Sequence, residues 1–469
     1  MSVVKKVAGN TALILGTRAV NTVIGIATVS LLTRFLGLTD FGTYEIIFAY
    51  VVIAANIVEF GFRPILTREI SRGREEVDLV VGNVMMVKFL LALATVAVVN
   101  LMVHFLGQDP RLSKLMLIYS LGIILFSVSV FESTFAANLN VKVPSFLRTA
   151  QRILLLALIL LVIYAQGSLV HIVIVELVAG SLYLLFGYLL SLKYLKPAFV
   201  FKPALWKEFV QLSWPVGAFA VLDQLLRKVD IIILSSLTDA VSVGIYSLAA
   251  RLTQFLELFV FAVMVSVFPL LCKYYVSEKG KFETLWRLIF KYSMAFITLV
   301  CLVIFYVARP LVVAVGGEEF ADASLALQLL IWSQIFVYAR VISGHIFVAI
   351  DQQRLSVVLA LLAVIANIVL DYLLIPQMGY LGACWATLIS YSLVFPLAYY
   401  LKGARPYMKD LLRSSLRPGF ALLVTVTAVF LLGQGVILNV LTAVLVYCSV
   451  LLLTKMVSKE DLRLIRAMF

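Results

Sequence analysis

The stretch Leu13-Ile-Leu-Gly-Thr-Arg18-Ala-Val-Asn21-Thr22-Val-Ile-Gly25-Ile-Ala-Thr-Val-Ser-Leu31-Leu32 is apolar for the length of a membrane crossing and carries a single arginine. A crossing needs roughly 20 mainly apolar residues. A charge near the bilayer centre costs at least about 2.5–3.5 kcal/mol, so it faces a bundle interior or a hydrated cavity. Arg18, Asn21, Thr22 and Gly25 recur at helical spacing and form one polar stripe. Other charges sit as deep in apolar runs: Lys88, Asp223, Arg227, Lys228, Asp230, Arg251, Arg340 and Asp371.

The pattern repeats along the chain. Of its 469 residues 63% are hydrophobic and only 13% charged, with a mean hydropathy of +1.07. Soluble domains average about 25% charged. The fold class is therefore an all-α polytopic membrane protein, with about 14 apolar segments expected. They include 10–35, 41–62, 209–236, 242–271, 354–375, 379–401, 417–434 and 436–455. The domains expected are 1–197 and 198–405, each with six spans, and 406–469 with the last two spans and a tail.

The net charge of +13 does not point to nucleic acid, because the basic residues lie in short loops. Arg63, Arg68, Arg72 and Arg74, then Lys142 and Arg148, then Lys193, Lys196, Lys202 and Lys207 fall on one side. So do Lys402, Arg405, Lys409, Arg413, Lys459, Arg463 and Arg466. Arg34, Arg111 and Lys114 fall on the other. By the positive-inside rule both termini are expected in the cytoplasm. Two segments read as surface helices, Arg63–Asp78 and the stretch that begins Lys202-Pro-Ala-Leu-Trp206.

An internal echo accompanies this layout. Leu38-Thr-Asp-Phe-Gly-Thr-Tyr44 opens span two, and Leu237-Thr-Asp-Ala-Val-Ser-Val-Gly-Ile-Tyr246 opens span eight. Equivalent placement in two halves suggests duplication about an axis normal to the membrane.

In span seven Asp223, Arg227 and Asp230 share a helix face. One positive group cannot satisfy two acids, which leaves room for a cation. Arg251 is expected to face the same cavity as Arg18. Asn367 and Asp371, four residues apart, suit either a hard cation or a polar packing pair. His104, His171 and His345 are isolated, and Glu132 and Glu176 are buried acids without an evident role. Cys272, Cys301, Cys384 and Cys448 lack metal-ligand spacing. No phosphate-binding loop, nucleophile elbow or metal motif is present, so an enzyme is not expected.

Three motifs resemble one family. They are Arg34-Phe-Leu-Gly-Leu-Thr-Asp-Phe-Gly-Thr-Tyr44, then Val229-Asp230-Ile-Ile-Ile-Leu with Val243-Gly-Ile-Tyr-Ser-Leu-Ala-Ala-Arg251-Leu, and Asn367-Ile-Val-Leu-Asp371 through Gly379-Tyr-Leu-Gly-Ala-Cys-Trp-Ala-Thr387. In order and spacing they resemble the oligosaccharide flippases (lipid-linked oligosaccharide exporters) of the multidrug/oligosaccharidyl-lipid/polysaccharide exporter superfamily.

The resemblance implies a V-shaped pair of six-helix lobes around a central cavity, plus two C-terminal helices. It implies movement of a polyprenyl-diphosphate-linked oligosaccharide from the cytoplasmic to the outer leaflet of the cell membrane by alternating access, driven by membrane potential and sodium. By the resemblance Arg18 and Arg251 would bind the head group, and the polar stripe and deep charges read above add Asn21, Arg227 and Lys228. Asp230, Asn367, Asp371 and Thr387 would bind a coupling cation, Na+ or H+, with no other cofactor. The partners implied are the lipid-linked substrate and membrane lipids around a monomer. Alternatives are a multidrug exporter coupled to a cation and a lipid II flippase. The latter is disfavoured because span two lacks a mid-depth arginine.

Overall fold

The computed structural model describes residues 3–73, 76–105, 110–432, 435–456, 458 and 461, and for 3–12 the backbone alone. Arg74, Lys459, Arg463 and Arg466 lie outside the described residues. Among the described residues every regular element is helical. Twelve segments there are long and apolar enough to cross a membrane.

The first of these, Leu13–Ser71, is 59 residues long. At about 1.5 Å per residue it exceeds one crossing. Its helix α1 (Val3–Glu59) is interrupted at Gly37, whose φ of 67° and ψ of −176° are non-helical. Helix α8 (Pro203–Leu237) carries Asp223, Arg227, Lys228 and Asp230 and falls outside the twelve. Fourteen crossings require that α1 be divided at Gly37 and α8 be added.

The chain gathers into two units, Met1–Gly244 and Ile245–Phe469. The first holds α1, α2 (Phe62–Ser71), α3 (Val77–Phe105), α4 (Pro110–Leu125), α5 (Phe131–Ala137), α6 (Lys142–Tyr164), α7 (Leu169–Ser191) and α8. Helix α8 packs on α1. Helix α2 buries Phe62, Ile65 and Leu66 and exposes Arg63, the two-faced pattern of an interfacial helix, but it stops at Ser71. The second expected surface helix does not stand alone. Pro203 occupies the first turn of α8, where its missing amide costs nothing, and the helix runs on through Trp206 and past Pro215.

Asn83 fixes that start. Its Oδ1 accepts hydrogen bonds from the Lys202 amide at 3.0 Å and Trp206 Nε1 at 2.9 Å, while its Nδ2 donates to Val200 O at 2.9 Å. Asn83 is 1% exposed, so full satisfaction of its carboxamide matters. Two backbones also meet closely nearby. Gly61 has φ +72°, and a Cβ there would lie 2.6 Å from Gly217 N and 2.9 Å from Ser213 O. The echoed motifs meet too: a Cβ on Gly42 would lie 1.7 Å from Ala240 O, and one on Gly244 would lie 2.5 Å from Leu38 O.

The second unit contains α9 (Ala240–Gln254) from Ile245 onward and α10 (Glu257–Ser277). It continues through α11 (Lys279–Gly316), α12 (Ala323–Ala349), α13 (Gln353–Met378), α14 (Tyr380–Tyr400), α15 (Arg405–Leu432) and α16 (Val436–Leu453). The predicted span 242–271 is thus two helices, broken at Phe255-Leu256. Helices α15 and α16 pack on α11, where Leu302, Ala421, Val429, Ala443 and Tyr447 form a buried cluster. Tyr447 OH donates to Ala295 O at 3.1 Å.

Lys88 is 1% exposed, and its Nζ lies 2.7 Å from Glu59 Oε2 and 2.6 Å from Ser129 Oγ. Two predictions follow from these contacts. Gly61→Ala combines a left-handed backbone, about 1–2 kcal/mol, with overlap costing about 1–3 kcal/mol. It should lower the apparent unfolding temperature in detergent, whereas Gly180→Ala, whose Cβ meets nothing within 4 Å, should not. Lys88→Met should destabilise by about 3 kcal/mol, because it strands Glu59. The double variant Lys88→Met/Glu59→Leu should recover part of that loss in the same thermal measurement.

Candidate functional site

In the first unit a cavity of about 360 Å³ is lined by Arg18, Asn21, Arg63, Glu132, Ser145 and Arg148, among others. Arg63, Glu132 and Arg148 each reach it from beside a local break in the helices. Gly61 and Phe60, both with positive φ, turn the chain from α1 into α2 and set Arg63 on the first turn of α2. A 3-10 turn, Phe126–Val130, interrupts the apolar segment Pro110–Ala137 and offsets α5, whose first turn carries Glu132. Leu139, also at positive φ, lies in the turn before α6, and Arg148 sits in the second turn of that helix.

These groups form one cluster. Glu132 Oε2 lies 2.5 Å from Arg63 Nη1, and Oε1 lies 2.7 Å from Arg148 Nη2. Tyr183 of α7 donates its hydroxyl to the same Oε1. The Glu132 side chain is 9% exposed and each arginine side chain 51%, so the carboxylate is enclosed while half of each arginine side chain stays open. From α1, Arg18 and Asn21 line the same space. Thr17 and Thr22 turn their hydroxyls back onto Leu13 O and Arg18 O, at 2.8 and 2.9 Å. Asn21 Oδ1 has no hydrogen-bond partner among the described residues.

The remaining candidates are distributed. Arg227 Nε pairs with Asp223 Oδ2 at 3.0 Å, four residues apart on α8. Lys228, one residue on, points elsewhere. Its Nζ lies 3.8 Å from the fully buried Glu45 and 5.2 Å from the centroid of the Phe48 ring. Asp230 is buried in α8 at 2% exposure. Arg251 is half-buried on α9 in the second unit. Asn367 and Asp371 on α13 are both fully buried, and Thr387 lies on α14, which packs against α13. Thr387 Oγ1 is 3.1 Å from Tyr246 OH and donates to Ala383 O at 2.9 Å. Neither polar atom of the Asn367 carboxamide has a hydrogen-bond partner among the described residues.

The histidines serve local structure. The Ser168 amide donates to His171 Nδ1 at 3.0 Å, capping α7, and His345 Nδ1 lies 2.8 Å from Val341 O. Glu176 accepts hydrogen bonds from Tyr44 and Tyr119 at 2.6 and 2.7 Å. Among the described residues no three histidine, cysteine or acidic side chains group as a metal site. Sequence reasoning missed the convergence of Arg63, Glu132 and Arg148. It read the two arginines as orientation charges, and the one available signal was a buried acid, Glu132, with no use for its charge.

Comparisons with known proteins agree with this architecture. The Polysaccharide biosynthesis protein family matches residues 7–275, more than half the chain, and the MatE family matches residues 215–373. A capsular polysaccharide biosynthesis protein of Staphylococcus aureus is 26% identical over 203 residues, 42% of this chain and 50% of that protein. A probable low-salt glycan biosynthesis flippase of Haloferax volcanii is 28% identical over 176 residues, 37% of each chain. The matched region thus spans half the length of the first of these relatives and less of the second. Among solved structures, an inward closed lipid II flippase has the same fold, with a TM-score of 0.76 at 18% identity over 94% of this chain and 98% of that one. An inward-facing multidrug transporter of the MATE family follows, with a TM-score of 0.67 at 16% identity over 84% and 96%. With a polytopic helical fold and a match across more than half its length, this chain belongs to the Polysaccharide biosynthesis protein family.

Proposed function

We propose that the protein is a flippase that carries a polyprenyl-diphosphate-linked oligosaccharide across the cell membrane, from the cytoplasmic to the outer leaflet. The observation that carries this reading is the polar cavity of the first unit, where helices α1, α2, α5 and α6 of a membrane-spanning fold bring three arginines to one space. Guanidinium groups suit a diphosphate, because their planar fork matches phosphate oxygens. Family membership and the flippase among the relatives support the same reading. An inside-negative potential favours outward movement of an anion by roughly 2.3 kcal/mol per charge per 100 mV.

The charge asymmetry of the loops supports cytoplasmic termini, and fourteen crossings keep both on one side. Arg18 and Asn21 line the cavity, and Arg227 and Arg251 remain candidates for the head group. Lys228 is the weakest member of the set, because it is buried beside Glu45.

Asn367, Asp371 and Thr387 of the second unit fit a sodium ion. A fully buried carboxamide without hydrogen bonds, one turn from a buried carboxylate, offers the oxygen ligands that a hard cation prefers. When bound, the ion would supply neutralisation of Asp371. Asp230, the fourth candidate, belongs to the first unit. A second reading, a drug exporter, is favoured by the MatE match over residues 215–373. Resistance to cationic drugs on expression, without any effect on lipid-linked glycan, would favour it.

Two experiments test the proposal. In proteoliposomes, Arg18→Ala and Arg251→Ala should each lower translocation of a lipid-linked oligosaccharide by about tenfold or more, the loss of a charge-assisted contact; full rates in both would overturn the reading. Sodium, compared with potassium, should raise the unfolding temperature of the native protein and leave Asn367→Ala and Asp371→Asn unmoved.

A further inference from the structure

We infer that Glu132 is a resident counter-ion occupying an anion-binding site formed by Arg63 and Arg148, and that it makes this site selective for phosphate monoesters and diphosphates over singly charged phosphodiesters. The inference rests on the flippase reading for its biological ligand, but its chemistry stands on the first unit alone.

The geometry is that of an occupied receptor. A single carboxylate bridges two arginines, one oxygen to each, at 2.5 and 2.7 Å. Tyr183 adds a third donor to the oxygen that Arg148 holds. Carboxylate and phosphoryl oxygens accept from a guanidinium fork in the same way. Glu132 therefore sits where a phosphoryl group would. It is tethered and enclosed, while the arginines are half-exposed toward a cavity of about 360 Å³, within the range of small-ligand sites. Arg18 and Asn21 line the same cavity.

An arriving anion has to take the guanidiniums from Glu132. A phosphodiester head group brings one negative charge, the same as the carboxylate it would displace, and gains nothing by the exchange. A diphosphate ester brings more than one, spread over several oxygens, into a cavity that Arg18 also lines. The exchange then runs in its favour, and the freed carboxylate keeps the Tyr183 hydrogen bond. The bilayer is full of phosphodiester lipids, so an unguarded pair of arginines would be saturated by them. The carboxylate acts as a threshold that abundant lipids do not cross.

The test uses the full-length protein in nanodiscs, with inorganic pyrophosphate and farnesyl diphosphate as probes and phosphatidylglycerol in the disc as competitor. Arg63→Gln and Arg148→Gln should each weaken pyrophosphate binding by about ten- to a hundredfold. Glu132→Gln should tighten it severalfold and make it sensitive to phosphatidylglycerol, which the native protein ignores. Glu176→Gln, a carboxylate held by Tyr44 and Tyr119, is the control and should change neither. If Glu132→Gln does not fold, Tyr183→Phe, which loosens Glu132, should still tighten binding.

Unchanged or weaker pyrophosphate binding in a folded Glu132→Gln or Tyr183→Phe protein would overturn the inference. So would native binding already competed by phosphatidylglycerol. Translocation of a lipid-linked glycan by the same proteins separates the two claims. Selective binding without transport leaves the site and removes the flippase reading, whereas transport with binding blind to Glu132 does the reverse.

Discussion

A buried charge in an apolar slab has to be answered by another group at close range, and much of this molecule is organised around that demand. Lys88 meets Glu59 and Ser129, Lys228 meets Glu45, Arg227 meets Asp223, and Glu132 meets two arginines and a tyrosine. Removing one member of such a pair leaves the other stranded, and those that join different segments, Lys88 with Glu59, Lys228 with Glu45 and Glu132 with its arginines, tie helices to one another. They also sort the charges by accessibility. Lys88 and Lys228 are sealed in, and Arg63 and Arg148 remain half-exposed. Arg63 and Arg148 can exchange partners, whereas Lys88 and Lys228 cannot.

The other constraint is backbone proximity. At Gly61 with Gly217, and at Gly42 with Ala240 and Gly244, two backbone segments approach to distances that leave no room for a side chain. The second of these is where the two echoed motifs touch, so the glycine that recurs in the echo has a steric reason to recur. The aspartates of the same motif have diverged. Asp40 holds Arg111 through two hydrogen bonds at 3.0 and 3.3 Å, whereas Asp239 accepts the Ser242 amide at 2.8 Å and caps α9. That amide hydrogen bond keeps the Asp239 carboxyl below the usual range.

What the chain disclosed before any coordinates was local. Apolar length, loop charge and spacing within one helix identified the class, the polar stripe with Arg18, and the Asp223–Arg227 pair. The three motifs carried the family. What stayed hidden depended on distant segments meeting. Nothing near Arg63 announces Glu132, and nothing near Glu45 announces Lys228. Lys228 turns to Glu45 and not to the Asp223–Arg227 pair because neighbours on a helix project about 100° apart. The short helix expected at Lys202 merged into α8 because a proline in a first turn begins a helix as readily as it breaks one.

Asn83 ties the approach to α8 onto the first turns of α3 through main-chain and indole contacts. Residues 198–202 are therefore a welded corner and not a tether. A reporter dye attached there would track the rigid body to which it is joined, and any swivel between the halves of the protein would have to be sought further along the chain.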